Sequence, residues 1–217
     1  MNTRYVVFDM DGTLVDSMPY WQRLTDEYLG MLNLPKEVLL DLKEQAETMS
    51  LSESAELFQM ELGLERSPEQ IALDMGDLMD QHYQSDIPLR DGVPEFLEAL
   101  WLDGVTMCVA TLTPAPLAHL CLERLGVADY FSFIICTDDV GVGKDQPEFF
   151  LHAAWEFGVH PAELTVFEDA HYAARAAKQA GCRVIGIYEP TNEGRWPQMQ
   201  EICDATIYRW EDALPLL

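Results

Sequence analysis

The sequence predicts an α/β protein in which a parallel sheet carries a helical insert after its first strand. Short, almost continuously apolar runs alternate with helical patterns through most of the 217 residues, as expected for strands covered on both faces. Residues 16–87 differ, because they contain amphipathic stretches and no strand-like run. We therefore predict one domain from residues 1–15 and 88–217, interrupted by an all-helical domain at 16–87.

The predicted strands are rich in β-branched and aromatic residues. They lie at residues 5–8, 105–110, 131–136, 164–167 and 183–187, with a weaker one at 205–208. Helical patterns separate the later strands: Thr113-Pro114 precedes apolar residues at helical spacing, and Gly181 ends the run that begins at His171. This repetition of strand, helix and strand predicts parallel pairing.

The insert has its own helix markers. Ser50 with Glu53, and Ser67 with Gln70, have the spacing of capping boxes at helix starts. The first of them precedes apolar residues at helical spacing, namely Leu51, Ala55, Phe58 and Leu62. Short linkers at 15–18 and 87–92 join the insert to the rest of the chain.

Composition limits the partners and the compartment. A formal charge of −25, from 38 acidic and 13 basic residues, repels nucleic acid and anionic membrane surfaces. Five cysteines without a C-x-x-C pattern predict free thiols in a reducing compartment. The N-terminus has no apolar stretch of signal-peptide length, and no segment reaches the length of a membrane span. We expect a cytoplasmic protein that acts on a small metabolite, and the sequence predicts no oligomeric state.

Two carboxylates, Asp9 and Asp11, follow the first predicted strand and precede Gly12. In open α/β sheets ligands bind at the carboxyl ends of the strands, and residues two apart on a strand point the same way. Like charges held this close require a cation or a shared proton. By itself, a D-x-D sequence is more often a solvated acidic turn.

Polar residues follow three further predicted strands, and their order along the chain is the order found in one known family. Thr111 follows the second strand, Lys144 precedes a helix that starts near Pro147, and Glu168-Asp169 follow the fourth strand. With the first segment, DMDGTLVDS, they make the chain resemble the haloacid-dehalogenase-like hydrolase superfamily. The resemblance points to its β-phosphoglucomutase-like and phosphatase subgroup, and implies a Rossmann-like parallel-sheet core with an inserted all-helical cap. The sequence departs from relatives at Asp145, Ala170 and Ala173.

The resemblance implies a Mg²⁺-dependent phosphatase acting on a small phosphomonoester such as a sugar phosphate or nucleotide. Asp9 would attack phosphorus to form an aspartyl phosphate, and Asp11 would be the general acid and base. Thr111 and Lys144 would bind the phosphoryl oxygens.

The same resemblance implies a metal site. The ligands of Mg²⁺ would be the carboxylates of Asp9 and Asp169 and the backbone carbonyl of Asp11, an all-oxygen set that suits this ion. Glu168 would support the ion through a water molecule or as a hydrogen-bond acceptor for the groups that bind it. The insert would act as a lid, with the two linkers as hinges.

Alternatives within and outside this chemistry remain open. A phosphosugar mutase is expected to carry an arginine in the loop at about 48–54, where this sequence has no basic residue. Phosphonate cleavage would need an insert lysine, for which Lys36 and Lys43 are available but are more simply surface residues. The presence of Asp11 argues against dehalogenation. A non-catalytic metabolite-binding relative is disfavoured because the reactive set is complete.

Overall fold

The computed structural model describes residues 3–46 and 49–216, and these fall into two compact units. One unit comprises Met1–Ser17 and Ile87–Leu217, and the other is Met18–Asp86. None of the described helices combines the length and apolar character needed to cross a bilayer.

The first unit is built on a six-stranded sheet in the order β3-β2-β1-β4-β5-β6, with every pairing parallel. The strands are β1 Tyr5–Phe8, β2 Thr106–Thr111, β3 Phe131–Cys136, β4 Leu164–Glu168, β5 Arg183–Ile187 and β6 Ala205–Ile207. The predicted α/β, Rossmann-like class is confirmed. Strand order reverses direction between β1 and β4, and doubly wound sheets bind ligands at this switch point.

The described part of the second unit contains four helices. They are α1 Met18–Met31, α2 Lys36–Ala46, α3 Leu51–Leu62 and α4 Pro68–Ser85. Both predicted capping boxes are confirmed: Ser50 caps α3 with Glu53, and Ser67 caps α4 with Gln70. Thr48, where the loop at about 48–54 begins, lies outside the described residues.

In the described part of the first unit, six further α-helices lie between the strands. They are α5 Val93–Leu102, α6 Ala115–Arg124, α7 Thr137–Val140, α8 Pro147–Phe157, α9 His171–Gln179 and α10 Trp196–Ile202. Between β5 and α10 the chain forms a 3₁₀ helix, Pro190–Arg195. The cysteines are free thiols, as predicted, and four of the five are buried.

Helices cover both faces of the sheet, which explains its continuously apolar strands. On one face, Phe8 of β1 stacks on Phe167 of β4 at a centroid separation of 5.2 Å, and both rings contact Phe96 and Trp210. On the other face, buried residues of the strands pack against α8 and α9. Phe149 and Phe150 of α8 belong to this buried cluster. Burial of a large apolar side chain stabilises the fold by about 1.5–3 kcal/mol, so packing on both faces stabilises β1 and β4.

The two linkers of the insert pair with each other at the edge of the first unit. Val15 forms an antiparallel bridge with Leu89, the Asp16 amide donates to the Pro88 carbonyl at 2.9 Å, and the Arg90 amide donates to the Leu14 carbonyl at 2.9 Å. The chain therefore leaves and re-enters the first unit through hydrogen-bonded backbone.

Candidate active site

Asp9 is the first residue beyond β1, and backbone hydrogen bonds hold it against β4. Its amide donates to the Phe167 carbonyl at 3.0 Å, which continues the pairing of the two strands. The chain then turns, with Gly12 at φ +77°. A Cβ at Gly12 would lie 2.6 Å from Oδ2 of Asp169, so glycine meets both the conformation and the close approach that this turn requires.

Four charged side chains meet at the ends of β1 and β4. Lys144 Nζ lies 2.5 Å from Asp9 Oδ1 and 2.7 Å from Glu168 Oε2. Asp9, Glu168 and Asp169 each bring a carboxylate oxygen within 4.8 Å of the others, and all are buried. We call these four residues the acidic centre.

The acidic centre carries excess negative charge. Three carboxylates against one ammonium leave two negative charges when all are ionised. Burial raises the pKa of the Asp9 carboxyl to about 7, the charge of Glu168 adds to this, and Lys144 opposes it. Burial also raises the pKa of Asp169 well above its usual range, with Asp9 and Glu168 contributing. Burial alone would lower the pKa of Lys144, but the carboxylates of Asp9 and Glu168 raise it above its ordinary value.

The geometry of the acidic centre fits a divalent cation. Asp9 Oδ2 is buried and has no hydrogen-bond partner among the described residues, which is costly for a carboxylate oxygen. Carboxylate oxygens are ligands that Mg²⁺ prefers, and a cation would offset the excess charge. The expected ligands Asp9 and Asp169 are both members of this centre. Glu168, expected to support the metal indirectly, brings its carboxylate into the same group.

Asp11 has different surroundings from Asp9, although only one residue separates them. Its carboxylate accepts hydrogen bonds from Ser17 Oγ and from Thr113 Oγ1, each at 2.7 Å, and a longer one of 3.5 Å from Thr111 Oγ1. The side chain of Asp11 is half-buried and is not part of the acidic centre. We expect Asp11 to bind the metal through its backbone carbonyl and not through its carboxylate. The position of the Asp11 side chain therefore does not test that expectation, which stays a prediction.

Thr111 and Lys144, the expected phosphate-binding residues, are both buried near the two aspartates. Thr111 is the last residue of β2, and its hydroxyl accepts a hydrogen bond from the Thr113 amide at 3.0 Å. Lys144 precedes α8 and reaches the acidic centre directly. The structure thus brings together at one sheet edge all six residues expected from the strand exits.

Sequence reasoning missed several residues that orient these groups. Ser17 and Thr113 contact Asp11, while Thr13 and Asn192 contact Asp169. Arg90 donates to the carbonyls of Gly12 and Tyr188. Thr113 could have been noticed because it lies two residues after Thr111. Asn192 has no local pattern that marks it, since it lies beyond β5 and reaches Asp169 only in the folded chain.

Comparisons with known proteins show what this chain is similar to. A family model described as haloacid dehalogenase-like hydrolase matches residues 3–181. The chain is 32% identical to the phosphoglycolate phosphatase of Salmonella typhimurium and 30% identical to that of Pectobacterium atrosepticum, covering 100% and 99% of this chain and 93% and 92% of theirs. Among solved structures, a provisionally assigned beta-phosphoglucomutase from Thermotoga maritima has a TM-score of 0.81 at 26% identity, covering 99% of this chain and 100% of that one.

Proposed function

The chain belongs to the haloacid dehalogenase-like hydrolase family, and we propose that it is a Mg²⁺-dependent phosphatase that cleaves a small phosphomonoester through a phosphorylated Asp9. The observation that carries this proposal is the acidic centre at the β1–β4 switch point, with Asp11 beside it in a separate environment. Phosphoryl transfer depends on positioning and charge stabilisation, and this arrangement offers both.

The metal would be held by Asp9, Asp169 and the backbone carbonyl of Asp11, with Glu168 close by. Bound Mg²⁺ would supply positive charge to the phosphoryl oxygens and would favour the ionised form of Asp9. Lys144 contributes a fixed positive charge from the protein itself, since it is buried against Asp9 and Glu168. The ammonium therefore keeps Asp9 oriented in the absence of substrate.

In the first step, Asp9 attacks phosphorus, and the bond between phosphorus and the leaving oxygen breaks. Asp11 donates a proton to that oxygen, so the alcohol departs neutral. Thr111 and Lys144 bind the non-bridging oxygens of the phosphoryl group and stabilise their charge as the transition state forms. The hydroxyls of Ser17 and Thr113 keep the Asp11 carboxyl in place.

In the second step, Asp11 takes a proton from a water molecule as that water attacks phosphorus. The bond between phosphorus and the Asp9 oxygen breaks, releasing inorganic phosphate and regenerating the Asp9 carboxylate. Asp11 has then returned to its protonated form, so the cycle closes without another reactant. Two neighbouring carboxylates can divide these roles when their environments differ, as those of Asp9 and Asp11 do.

The curated relatives suggest which substrate to test first. Two that match at 30–32% identity over almost the whole chain are named phosphoglycolate phosphatase. We therefore propose phosphoglycolate, a small phosphorylated acid, as the leading substrate.

The proposal is tested by phosphate release from phosphoglycolate, sugar phosphates and nucleotides, with Mg²⁺ or EDTA, beside Asp9→Asn. We expect release that requires Mg²⁺ and is abolished by Asp9→Asn. Asp129→Asn makes the same chemical change at an exposed residue of the first unit and should keep wild-type activity. Release that persists in Asp9→Asn, or no release from any compound by the folded wild type, would contradict the proposal.

A phosphosugar mutase is the second candidate, because the Thermotoga maritima structure similar to this chain carries that provisional assignment. Residues 49–54 contain no lysine or arginine to hold a second phosphate. Glu53 is occupied in its capping box, where Oε2 accepts from the Ser50 amide at 2.8 Å. Mutase activity would convert β-glucose 1-phosphate to glucose 6-phosphate without net phosphate release, so enzymatic detection of glucose 6-phosphate distinguishes the two.

A further inference from the structure

Asn192 lies on the 3₁₀ helix after β5, far along the chain from the strand exits that carry the reactive groups. We propose that Asn192 is a positioning residue that holds the Asp169 carboxylate in the orientation that binds the divalent cation, an inference that rests on the metal site of the proposed function. The contact joins residues 23 positions apart.

The two oxygens of Asp169 each have their own donor. Asn192 Nδ2 lies 2.8 Å from Asp169 Oδ2 and 3.5 Å from the Asp169 backbone carbonyl, while Thr13 Oγ1 lies 3.3 Å from Oδ1. An ionised carboxylate only accepts hydrogen bonds, so the amide must present its nitrogen to Asp169. The Asp169 side chain is thereby held at both of its carboxylate oxygens, and the Asn192 amide also lies close to the Asp169 backbone.

An uncharged donor is the group that suits this position. The acidic centre already has two more negative than positive charges, and a carboxylate at position 192 would repel Asp169. An ammonium or guanidinium would pair with Asp169 and repel an incoming cation. The amide of Asn192 orients Asp169 and leaves its charge available to the metal.

Asn192 is itself held by the start of its 3₁₀ helix. The Glu189 carboxylate is buried and accepts from the Thr191 amide at 2.6 Å and from the Thr191 hydroxyl. The backbone amide of Asn192 donates to the Glu189 carbonyl at 3.0 Å. This capping fixes the direction in which the Asn192 side chain leaves the helix.

Arg90 connects the same segment to the turn after Asp9. Its guanidinium donates to the Tyr188 carbonyl at 2.7 Å and to the Gly12 carbonyl. Gly12 in turn packs so closely against Asp169 that a Cβ would collide with it. These contacts therefore fix the position of the segment that carries Asn192 relative to the loop that carries Asp9, with Asp169 beside both.

The test measures Mn²⁺ binding to the folded protein by the electron paramagnetic resonance signal of the free ion, at a temperature below the Tm of every variant. Asn192→Leu removes the donor with little change of volume and should weaken Mn²⁺ binding by about 10- to 100-fold, the usual effect of losing a group that orients a metal ligand. Asn192→Ser keeps a shorter donor and should weaken it less. Gln200→Leu removes an exposed amide from α10 and should bind Mn²⁺ like the wild type.

Wild-type Mn²⁺ affinity in both Asn192→Leu and Asn192→Ser would overturn the inference. A purely structural role would lower the Tm of the metal-free variants and leave the Kd of the folded protein unchanged. Asp169→Asn distinguishes an error in the proposed metal site from an error in the role of Asn192. If it also binds like the wild type, the proposed metal site is wrong; if it alone loses binding, only the role of Asn192 is wrong.

Discussion

Asp9 and Asp11 illustrate how neighbouring residues of one type receive different surroundings. Asp9 is buried against Lys144 and two other carboxylates, whereas Asp11 faces hydroxyl groups at the ends of other segments. Separate environments of this kind allow one carboxylate to attack while the other transfers protons. The division of roles can be tested because proton donation matters only for a poor leaving group.

We expect Asp11→Asn to lower kcat/KM for an alkyl phosphate such as phosphoglycolate by about 10²- to 10⁴-fold, the usual contribution of general acid catalysis. For p-nitrophenyl phosphate the loss in kcat/KM should be smaller, since nitrophenolate leaves without protonation. The measurement compares both substrates in both proteins. Equal losses for the two would argue against Asp11 as the leaving-group acid.

At the scale of single elements, α3 and α4 of the second unit each begin with a capping box. The Ser67 hydroxyl accepts a hydrogen bond from the backbone amide of Gln70 at 3.3 Å, and Oε1 of Gln70 accepts one from the backbone amide of Ser67 at 3.2 Å. Pro68 follows as the first residue of α4. Ser67→Ala should lower the free energy of unfolding by about 1 kcal/mol. Urea unfolding followed by circular dichroism measures the change.

Ser52→Ala is the matched control for this prediction. Ser52 is exposed in the first turn of α3, where alanine is the better helix former, so the substitution should be neutral or slightly stabilising. A Ser67→Ala protein as stable as Ser52→Ala would show that the capping box does not contribute.

The packing of α1 against α4 includes a histidine that should make stability depend on pH. His82 Nε2 lies 2.8 Å from Glu27 and Nδ1 lies 2.9 Å from Asp86, with the ring of Tyr20 beside it. Burial alone would lower the pKa of His82, but these two carboxylates raise it above 6.5. The stabilisation is fully present below the unfolded-state pKa and is lost as pH rises through the higher folded-state value.

The stability advantage of the wild type over His82→Gln should therefore be larger at pH 5.5 than at pH 8.5. Because Glu27 and Asp86 are partly exposed, we expect a difference of under about 1 kcal/mol that decreases with added salt. Chemical unfolding of both proteins at the two pH values provides the test, and a pH-independent difference would exclude the charge effect.

At the scale of the whole molecule, the acidic centre should couple metal binding to stability. Cation binding to the native state at a hundredfold excess over Kd adds about 2.7 kcal/mol to the free energy of unfolding, or roughly 5–11 °C in Tm for a chain of this size. We expect Mg²⁺ to raise the Tm by this order relative to EDTA. Calorimetry with and without Mg²⁺ measures the shift.

Asp9→Asn provides the control for this prediction. It removes one charge from a buried group of like charges, so at pH 8 in EDTA it should be more stable than the wild type and should gain less from Mg²⁺. Asp129→Asn, altered at an exposed site, should retain the full shift. An equal Mg²⁺ effect in wild type and Asp9→Asn would place the ion elsewhere.

Local sequence patterns determined much of this protein. The apolar runs predicted all six strands to within one residue at their ends, and the spacing of serine with glutamate or glutamine predicted both capping boxes. These features depend on residues close together in the chain, so periodicity and capping chemistry are sufficient to find them. The polar residues that meet at the sheet edge were predicted because the segments that carry them resemble those of the haloacid-dehalogenase-like family.

Only the tertiary structure decided which side chains touch. The pairing of Lys144 with Asp9 and Glu168, the hydroxyls around Asp11, and the amide of Asn192 on Asp169 join segments 23 to 135 residues apart, apart from the Ser17 contact. Such contacts arise because the strand order β3-β2-β1-β4-β5-β6 brings the ends of distant segments together. No local periodicity encodes them, since their geometry follows from the packing of the entire sheet and its connections.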